Sequence, residues 1–217
     1  GRSLPLAMGI KMGNPDLNVI IVAGDGDFLG IGAEHIGPQG MRNLDVTAVV
    51  MDNGVYGLTK GQSSPTTDLG VVTSSTPYGK MEEKLHPLRS YLTMGVSFIA
   101  STISTKVKDM SDIMYEAMNH SGFSIVHVQS PCTEYNNTFE ALKGNVKKGI
   151  QPLAYDIPEG HDPSDAEAAQ EIVNAEGIPL GIIYRDTSRP SFDKRVSDTT
   201  GIKDMKSVEG LLDGFTI

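Results

Sequence analysis

The chain contains a single cysteine, Cys132, among its 217 residues. One cysteine excludes a framework of internal disulfides and fits a reducing compartment, so we expect a cytoplasmic protein. No apolar run reaches membrane-spanning length, and the start shows no basic-then-apolar signal pattern, so we expect no membrane association. The net charge is −9 without blocks of like charge, which argues against nucleic acid as a partner.

The length of the chain fits one α/β core with a small appended region. We expect residues 1–150 to form this core and residues 151–217 to form a C-terminal extension that packs on it or on a partner subunit. The chain starts at Gly1 without an initiating methionine, and residues 3–11 already have a helical pattern. We therefore expect the natural protein to begin further upstream.

Two apolar runs, residues 17–23 and 46–51, indicate the fold. Such runs are typical of strands that are buried on both faces of a parallel sheet. Residues 28–41 between them are long enough for the crossover helix of a right-handed βαβ unit. We therefore predict an α/β fold in which a parallel sheet is flanked by helices.

The rest of the chain predicts further elements of this fold and a loop at residues 61–80. A helix at 162–176 would be capped by Asp162-Pro163-Ser164. Residues 182–184 would form an edge strand. The other predicted strands cover residues 96–101 and 124–129, and the other helices cover residues 87–94, 107–119, 139–146 and 207–215.

Asp25 and Asn53 follow the two apolar runs, and Asp25 lies between Gly24 and Gly26. Ligands bind at the carboxyl ends of parallel strands, and neighbouring strands are about 4.8 Å apart, so one ion could contact both side chains. Glycines at such a turn admit a phosphate, but Asp25 alone would repel it. A hard cation such as Mg²⁺, held also by a carbonyl near Val55, removes this conflict.

A dinucleotide-binding turn is the competing interpretation of these glycines. Its fingerprint requires Gly-x-Gly-x-x-Gly, but Leu29 stands where the third glycine should be. A phosphate-binding P-loop sequence is also missing from the chain. The pattern therefore favours a site for a metal ion together with a diphosphate.

The text GDGD…MDN..YGLTKGQ.SPTT, within residues 24–67, resembles the β subunit of the 2-oxoacid:ferredoxin oxidoreductases. The likeness is detailed over residues 1–67 and looser at Ser130-Pro131-Cys132 and at residues 178–185. It implies a thiamine diphosphate-binding fold, with Mg²⁺ held by the side chains of Asp25 and Asn53 and by the carbonyl of Val55. It also implies that the cofactor is lined by Gly24, Gly26, Asp27, Gly57, Leu58 and Thr59.

The resemblance also changes the interpretation of Cys132. From chemistry alone, a lone cysteine is more often a small buried hydrophobe than a ligand. The resemblance implies instead that Cys132 gives one thiolate to a 4Fe–4S cluster. Such a cluster takes four thiolates, so three would have to come from an upstream segment.

The resemblance further implies oxidative decarboxylation of a 2-oxo acid, with coenzyme A taking the acyl group and ferredoxin the electrons. The sequence around Tyr56 resembles the oxidoreductases that act on 2-oxoglutarate or on a broad range of 2-oxo acids more than those that act on pyruvate. Leu58 is the candidate for keeping the cofactor folded. Since no acidic residue here can be assigned as the activating glutamate, we expect it on a partner α subunit.

Some features leave alternatives open. The family usually has asparagine where this chain has Glu34, and His35 is as compatible with a structural role as with a cofactor contact. Lys60 could meet a substrate carboxylate or simply be an exposed loop lysine. The alternative functions are another thiamine diphosphate enzyme, such as a decarboxylase or an acetolactate synthase-like enzyme, and a non-catalytic scaffold subunit.

Overall fold

The structure is a computed structural model, and it describes residues 1–201. Its strands form one six-stranded sheet and one short hairpin. The strands are β1 (Ile20–Gly24), β2 (Val46–Asp52), β3 (Val55–Tyr56), β4 (Gln62–Ser63), β5 (Phe98–Ile103), β6 (Phe123–Gln129), β7 (Ala154–Asp156) and β8 (Ile178–Arg185). The main sheet has the order β1-β2-β6-β5-β8-β7, and β3 and β4 form the hairpin.

Helices cover both faces of the main sheet. The α-helices are α1 (Ser3–Gly13), α2 (Ile36–Arg42), α3 (Pro87–Thr93), α4 (Val107–Met118), α5 (Phe139–Lys143), α6 (Ala166–Asn174) and α7 (Phe192–Thr200). In residues 1–201 no helix is both long and apolar enough to cross a membrane.

Four strands, β1, β2, β6 and β5, run parallel to one another, which confirms the predicted parallel sheet. On β2, Ala48 and Val50 face a core shared with α1 and α3, whereas Val49 faces a second core that includes Ile113 of α4. This burial on both faces is the reason that β2 is apolar at almost every position.

The predicted edge strand at residues 182–184 is wrong in its position. These residues belong to β8, which pairs antiparallel with β5 and parallel with β7, so β7 occupies the edge. The sequence of β7 has three residues, too few to show a periodic pattern. Because β7 and β8 join the main sheet, residues after 150 share its hydrogen bonding.

The crossover after β1 is less regular than the predicted single helix. It consists of a π-helical turn at Gly26–Ile31, a 3₁₀ turn at Ala33–His35 and then α2. At Gly30 the backbone leaves helical geometry, with φ −83° and ψ −105°. Glycine permits this break, because it lacks the Cβ that restricts other residues.

Two helix predictions also change, and one helix was missed. Asp165, not Asp162, caps α6, because its carboxylate accepts the N–H groups of Glu167 at 2.8 Å and Ala168 at 3.3 Å. The helix predicted at residues 139–146 stops at Lys143, since Gly144 has a φ of +73°. Helix α7 was not predicted, and the helix predicted at residues 207–215 lies outside the described residues.

Candidate functional site

The parallel pairing of β1 and β2 brings Asp25 and Asn53 together at one edge of the sheet. Gly24 lies opposite Met51, so both strands end at the same level. The Asn53 N–H donates to Asp25 Oδ1 at 3.3 Å. Asp25 is only 1% exposed, so its carboxylate lies beneath the surface at the end of the strand.

A second carboxylate, that of Asp52, lies beside Asp25, and sequence reasoning missed it. The Thr66 hydroxyl lies 2.8 Å from Asp25 Oδ2 and 2.8 Å from Asp52 Oδ1. Asp52 Oδ2 is 3.0 Å from His127 Nε2, and His127 Nδ1 is 3.1 Å from the Tyr91 hydroxyl. The site therefore continues inward as a buried polar chain.

The signal for this series of hydrogen-bonded side chains was weak in the sequence. Asp52 is the last residue of β2, and Asn53 comes directly after it. His127 is a polar residue within the mostly apolar strand β6. Both could have been marked as buried polar groups that need partners. Thr66 and Tyr91 gave no such signal, because only the fold brings their segments to this edge.

The two carboxylates respond differently to their surroundings. Burial and then the negative charge of Asp52 raise the pKa of Asp25, although hydrogen bonds partly oppose them. Burial would also raise the pKa of Asp52, but its hydrogen bond and charge interaction with His127, together with other hydrogen bonds, lower it overall. Burial and Asp52 thus disfavour the ionised form of Asp25, and a cation placed against this carboxylate would favour it.

The donor atoms at this edge fit a hard cation such as Mg²⁺. Asp25 offers a carboxylate, and Asn53 offers an amide oxygen. Asn53 Oδ1 accepts the Val55 N–H at 3.0 Å, which orients the amide and leaves a second lone pair. Carboxylate, amide and carbonyl oxygens are the usual protein ligands of Mg²⁺ and Ca²⁺. Residues 1–201 contain no cluster of three or more His, Cys, Asp or Glu residues in metal-binding geometry.

The two glycines that flank Asp25 have different surroundings. At Gly24, the nearest atom to an added Cβ would be the Met51 carbonyl oxygen, 3.9 Å away. At Gly26, a Cβ would lie 2.4 Å from the ring of Tyr56, whose hydroxyl donates to the Gly26 carbonyl at 2.8 Å. Gly26 therefore makes room for Tyr56, whereas Gly24 leaves open space at the end of β1.

The loop after β3 presents the other predicted cofactor residues toward solvent. Leu58 is 99% exposed, Thr59 is exposed, and Lys60 has a left-handed φ of +75°. Gly57 lies deeper, next to Asn53. The side chain of Asp27 is half exposed. An apolar side chain as exposed as that of Leu58 is free to contact another molecule.

Cys132 lies on the loop after β6 and is half-buried. A Cβ added at Gly57 would lie 4.0 Å from Cys132 Sγ, so the thiol is close to the loop that contains Leu58. Cys132 also forms a β-bridge with Asn136, whose side chain donates to the Asn53 carbonyl at 2.9 Å. The position favours a loop thiol beside the site over a small hydrophobe within the sheet core.

The side chain of His35 lies away from the buried carboxylates of Asp25 and Asp52. Its Nε2 atom lies 3.3 Å from Arg2 Nη1 and 3.5 Å from a carboxylate oxygen of Glu34. These contacts place its side chain among charged groups near the surface and favour the structural interpretation.

A cavity of about 440 Å³ opens beside the buried carboxylates. Its wall includes Asp52, Asn53, Thr66 and His127. A larger cavity of about 610 Å³ lies between α2 and α7 and contains none of the predicted site residues. Of the residues predicted to bind the metal or the cofactor, only Asn53 lines the smaller cavity.

Two family models match the chain. Residues 1–128 match the C-terminal TPP-binding domain of thiamine pyrophosphate enzymes, and residues 135–200 match the C-terminal region of the pyruvate ferredoxin oxidoreductase beta subunit. The first match contains Asp25, Asn53 and Thr66, and the second begins three residues after Cys132.

Among curated proteins, the chain is similar to the 2-oxoacid:ferredoxin oxidoreductase subunit beta of Saccharolobus solfataricus. The two are 36% identical over 205 residues, which cover 91% of this chain and 67% of the relative. A 2-oxoglutarate synthase subunit KorB of Archaeoglobus fulgidus is 40% identical over 132 residues, or 61% of this chain and 49% of the relative. The chain thus spans about two thirds or less of the length of these relatives.

A solved structure also matches the whole chain. It is a 2-oxoglutarate:ferredoxin oxidoreductase from Magnetococcus marinus with 2-oxoglutarate, coenzyme A and succinyl-CoA bound. Its TM-score is 0.84 with 32% sequence identity, and the match covers 100% of this chain and 73% of that chain.

Proposed function

Because this chain belongs to the β subunits of the 2-oxoacid:ferredoxin oxidoreductases, we propose that it binds thiamine diphosphate and Mg²⁺ for the oxidative decarboxylation of a 2-oxo acid. The products would be an acyl-CoA, carbon dioxide and reduced ferredoxin. The observation that carries this proposal is the buried Asp25 carboxylate, which meets Asn53 at the ends of two parallel strands.

In this proposal, Mg²⁺ is held by the side chains of Asp25 and Asn53 and by the carbonyl of Val55. When bound, thiamine diphosphate supplies the electron sink that decarboxylation of a 2-oxo acid requires. The residues of this chain bind and orient it. Those that line it are Gly24, Gly26, Asp27, Gly57, Leu58 and Thr59.

Leu58 would contact the cofactor from the loop after β3 and keep it folded. Its 99% exposure leaves the side chain free to make such a contact. The activating glutamate would come from an α subunit, so the site would be completed at the contact between the two subunits. The C-terminal extension, residues 151–217, is proposed to pack on the same domain or on that partner.

Cys132 would provide one ligand of a 4Fe–4S cluster that passes electrons to ferredoxin. Its closeness to Gly57 supports this role, because the cluster would then lie near the cofactor loop. A cluster needs four thiolates and this sequence has one, so the other three would come from chain outside these 217 residues.

The proposed substrate is 2-oxoglutarate or a broad range of 2-oxo acids. This is supported by the relatives, which are named as 2-oxoacid:ferredoxin oxidoreductases and as a 2-oxoglutarate synthase. The match of residues 135–200 to a ferredoxin oxidoreductase region supports this reaction over that of another thiamine diphosphate enzyme. We also propose a cytoplasmic location, based on the single cysteine.

The test of this proposal is titration of thiamine diphosphate with and without Mg²⁺, using the wild type and Asp25→Ala. Wild type should bind only with Mg²⁺, and Asp25→Ala should lose binding, since the diphosphate would have no neutralising metal. Asp16→Ala removes an exposed aspartate outside the site and is the matched control. Unchanged binding in Asp25→Ala would contradict the proposed metal site.

A second experiment addresses the partner. The isolated chain should not decarboxylate 2-oxoglutarate or pyruvate with thiamine diphosphate, Mg²⁺, coenzyme A and a ferredoxin or dye acceptor. Activity should appear when the α subunit is added. Turnover by the isolated chain would place the activating carboxylate in this chain.

A further inference from the structure

The Thr66 hydroxyl lies between two buried carboxylates, at 2.8 Å from Asp25 and 2.8 Å from Asp52. Thr66 is not among the residues proposed above to bind the metal or the cofactor. A hydroxyl has one hydrogen to donate, so the two carboxylates compete for it. The other donors around each carboxylate decide which one receives it.

Asp52 has hydrogen-bond donors other than Thr66. The Gly54 N–H donates to Asp52 Oδ1 at 2.9 Å, and His127 Nε2 lies 3.0 Å from Asp52 Oδ2. Both oxygens of Asp52 are therefore engaged without Thr66. These two hydrogen bonds hold the Asp52 carboxylate in place independently of Thr66.

Asp25 depends more strongly on Thr66. Its Oδ1 atom accepts the Asn53 N–H at the longer distance of 3.3 Å, and its Oδ2 atom faces the Thr66 hydroxyl at 2.8 Å. The Ser64 hydroxyl also interacts with this carboxylate. The Thr66 hydroxyl thus holds Oδ2 of Asp25 and sets the rotation of the carboxylate.

A buried lysine holds this turn in place. Lys80 is 6% exposed, and its ammonium donates to the carbonyls of Ser64 at 3.3 Å, Pro65 at 3.3 Å and Thr67 at 2.8 Å. The Thr67 hydroxyl also donates to the Gly54 carbonyl. The turn is therefore tied both to Lys80 and to the end of β2, which gives the Thr66 hydroxyl a defined position.

We propose that Thr66 is a positioning residue that orients the Asp25 carboxylate for Mg²⁺ before the metal binds. This inference rests on the proposed function. Thr66 does not contact the metal; it fixes Asp25 Oδ2 while Gly54 and His127 hold Asp52. Asp25 then presents its carboxylate to the metal without first losing rotational freedom, which strengthens metal binding.

The test measures how thiamine diphosphate binding depends on Mg²⁺ concentration in the complete complex. Thr66→Val keeps the shape of the side chain and removes the hydroxyl. It should raise the half-saturating Mg²⁺ concentration about tenfold, which corresponds to about 1.4 kcal/mol. At saturating Mg²⁺ its affinity for thiamine diphosphate should return to within about twofold of wild type.

Thr66→Ser restores a hydroxyl and should stay within about threefold of wild type. Thr93→Val, an exposed threonine in α3, should titrate like wild type. If Thr66→Val does not assemble, Thr66→Ala is measured in the same way, with the same expected result.

Two results would overturn the inference. One is a Thr66→Val complex with the Mg²⁺ dependence of wild type. The other is a loss of affinity that is equal at every Mg²⁺ concentration, since that indicates a damaged pocket. A wild-type complex that binds no thiamine diphosphate with Mg²⁺ would instead show that the proposed function itself is wrong.

Discussion

Gly26 has no side chain, which leaves room for the ring of Tyr56. The substitution Gly26→Ala tests this close approach. A Cβ at this position would lie 2.4 Å from Tyr56 Cε1 and 2.7 Å from Cζ. Non-bonded carbons normally approach to about 3.5–4.0 Å. In Gly26→Ala the ring must therefore move outward by roughly 1 Å, which breaks the hydrogen bond from Tyr56 to the Gly26 carbonyl.

The size of the effect follows from three contributions. Loss of the hydrogen bond costs about 1 kcal/mol of unfolding free energy. The ring is already 36% exposed, so its displacement costs only about another 1 kcal/mol of packing. Alanine restricts the unfolded chain more than glycine and returns about 0.5–1 kcal/mol. Gly26→Ala should therefore destabilise the chain by about 1–1.5 kcal/mol.

The effect of Gly26→Ala on the unfolding free energy should change sign when the ring of Tyr56 is removed. In a Tyr56→Ala background, Gly26→Ala should stabilise the chain by about 0.5 kcal/mol, because only the effect on the unfolded chain remains. The coupling between the two substitutions is then about 2 kcal/mol, and urea unfolding of the four proteins measures it. In a Tyr56→Phe background, which keeps the ring but lacks the hydrogen bond, Gly26→Ala should cost only about 0–0.5 kcal/mol. An equal cost of Gly26→Ala with and without the ring would refute the reasoning.

Three further predictions address the scaffold and the cluster. Gly40→Ala places a Cβ 2.1 Å from the Met94 carbonyl oxygen and should destabilise by about 2–3 kcal/mol in urea unfolding, whereas Gly37→Ala in the same helix meets no atom within 4 Å and should stabilise by about 0.5–1 kcal/mol. Similar effects of the two alanines would contradict the close contact of α2. Lys80→Met removes three hydrogen bonds to carbonyls and should cost about 2–3 kcal/mol in urea unfolding, whereas Lys84→Met, from a more exposed ion pair, should cost less than about 1 kcal/mol. In the complete enzyme, Cys132→Ala should weaken or abolish the 4Fe–4S signal in electron paramagnetic resonance, and an unchanged signal would remove Cys132 from the cluster.

The parallel part of the sheet could be predicted because its strands are runs of apolar residues. Short apolar runs that are followed by turn residues, as in β1 and β2, favour strands over helices. Burial on both faces holds for β2, β5 and β6 but was wrong for β1, an edge strand in which Ile20 and Val22 are exposed. The pairing of β8 was not predictable from its own sequence. An antiparallel strand that joins the far side of the sheet is chosen by contacts with β5, which lies 75 or more residues earlier in the chain.

The irregular crossover shows the limit of periodicity as a guide. The stretch after β1 contains enough apolar residues for a helix, but Gly30 and Gly32 permit a π-helical turn followed by a 3₁₀ turn. Periodicity reports which face is buried and does not report local breaks in hydrogen bonding. The cap of α6 was misplaced by three residues for a related reason, since Asp162 and Asp165 are both plausible caps until their hydrogen bonds are known.

The amino-acid sequence by itself determined that Asp25 and Asn53 follow two apolar runs, and they could be expected to meet only if the two strands were neighbours. The structure meets this condition, because β1 and β2 are parallel neighbours whose carboxyl ends lie at one edge of the sheet. Only the tertiary structure decided what surrounds that pair. Thr66 is 41 residues from Asp25, and His127 is 75 residues from Asp52. Contacts at such separations depend on how loops and distant strands pack, because no local pattern records a hydrogen bond between segments that meet only in the folded chain.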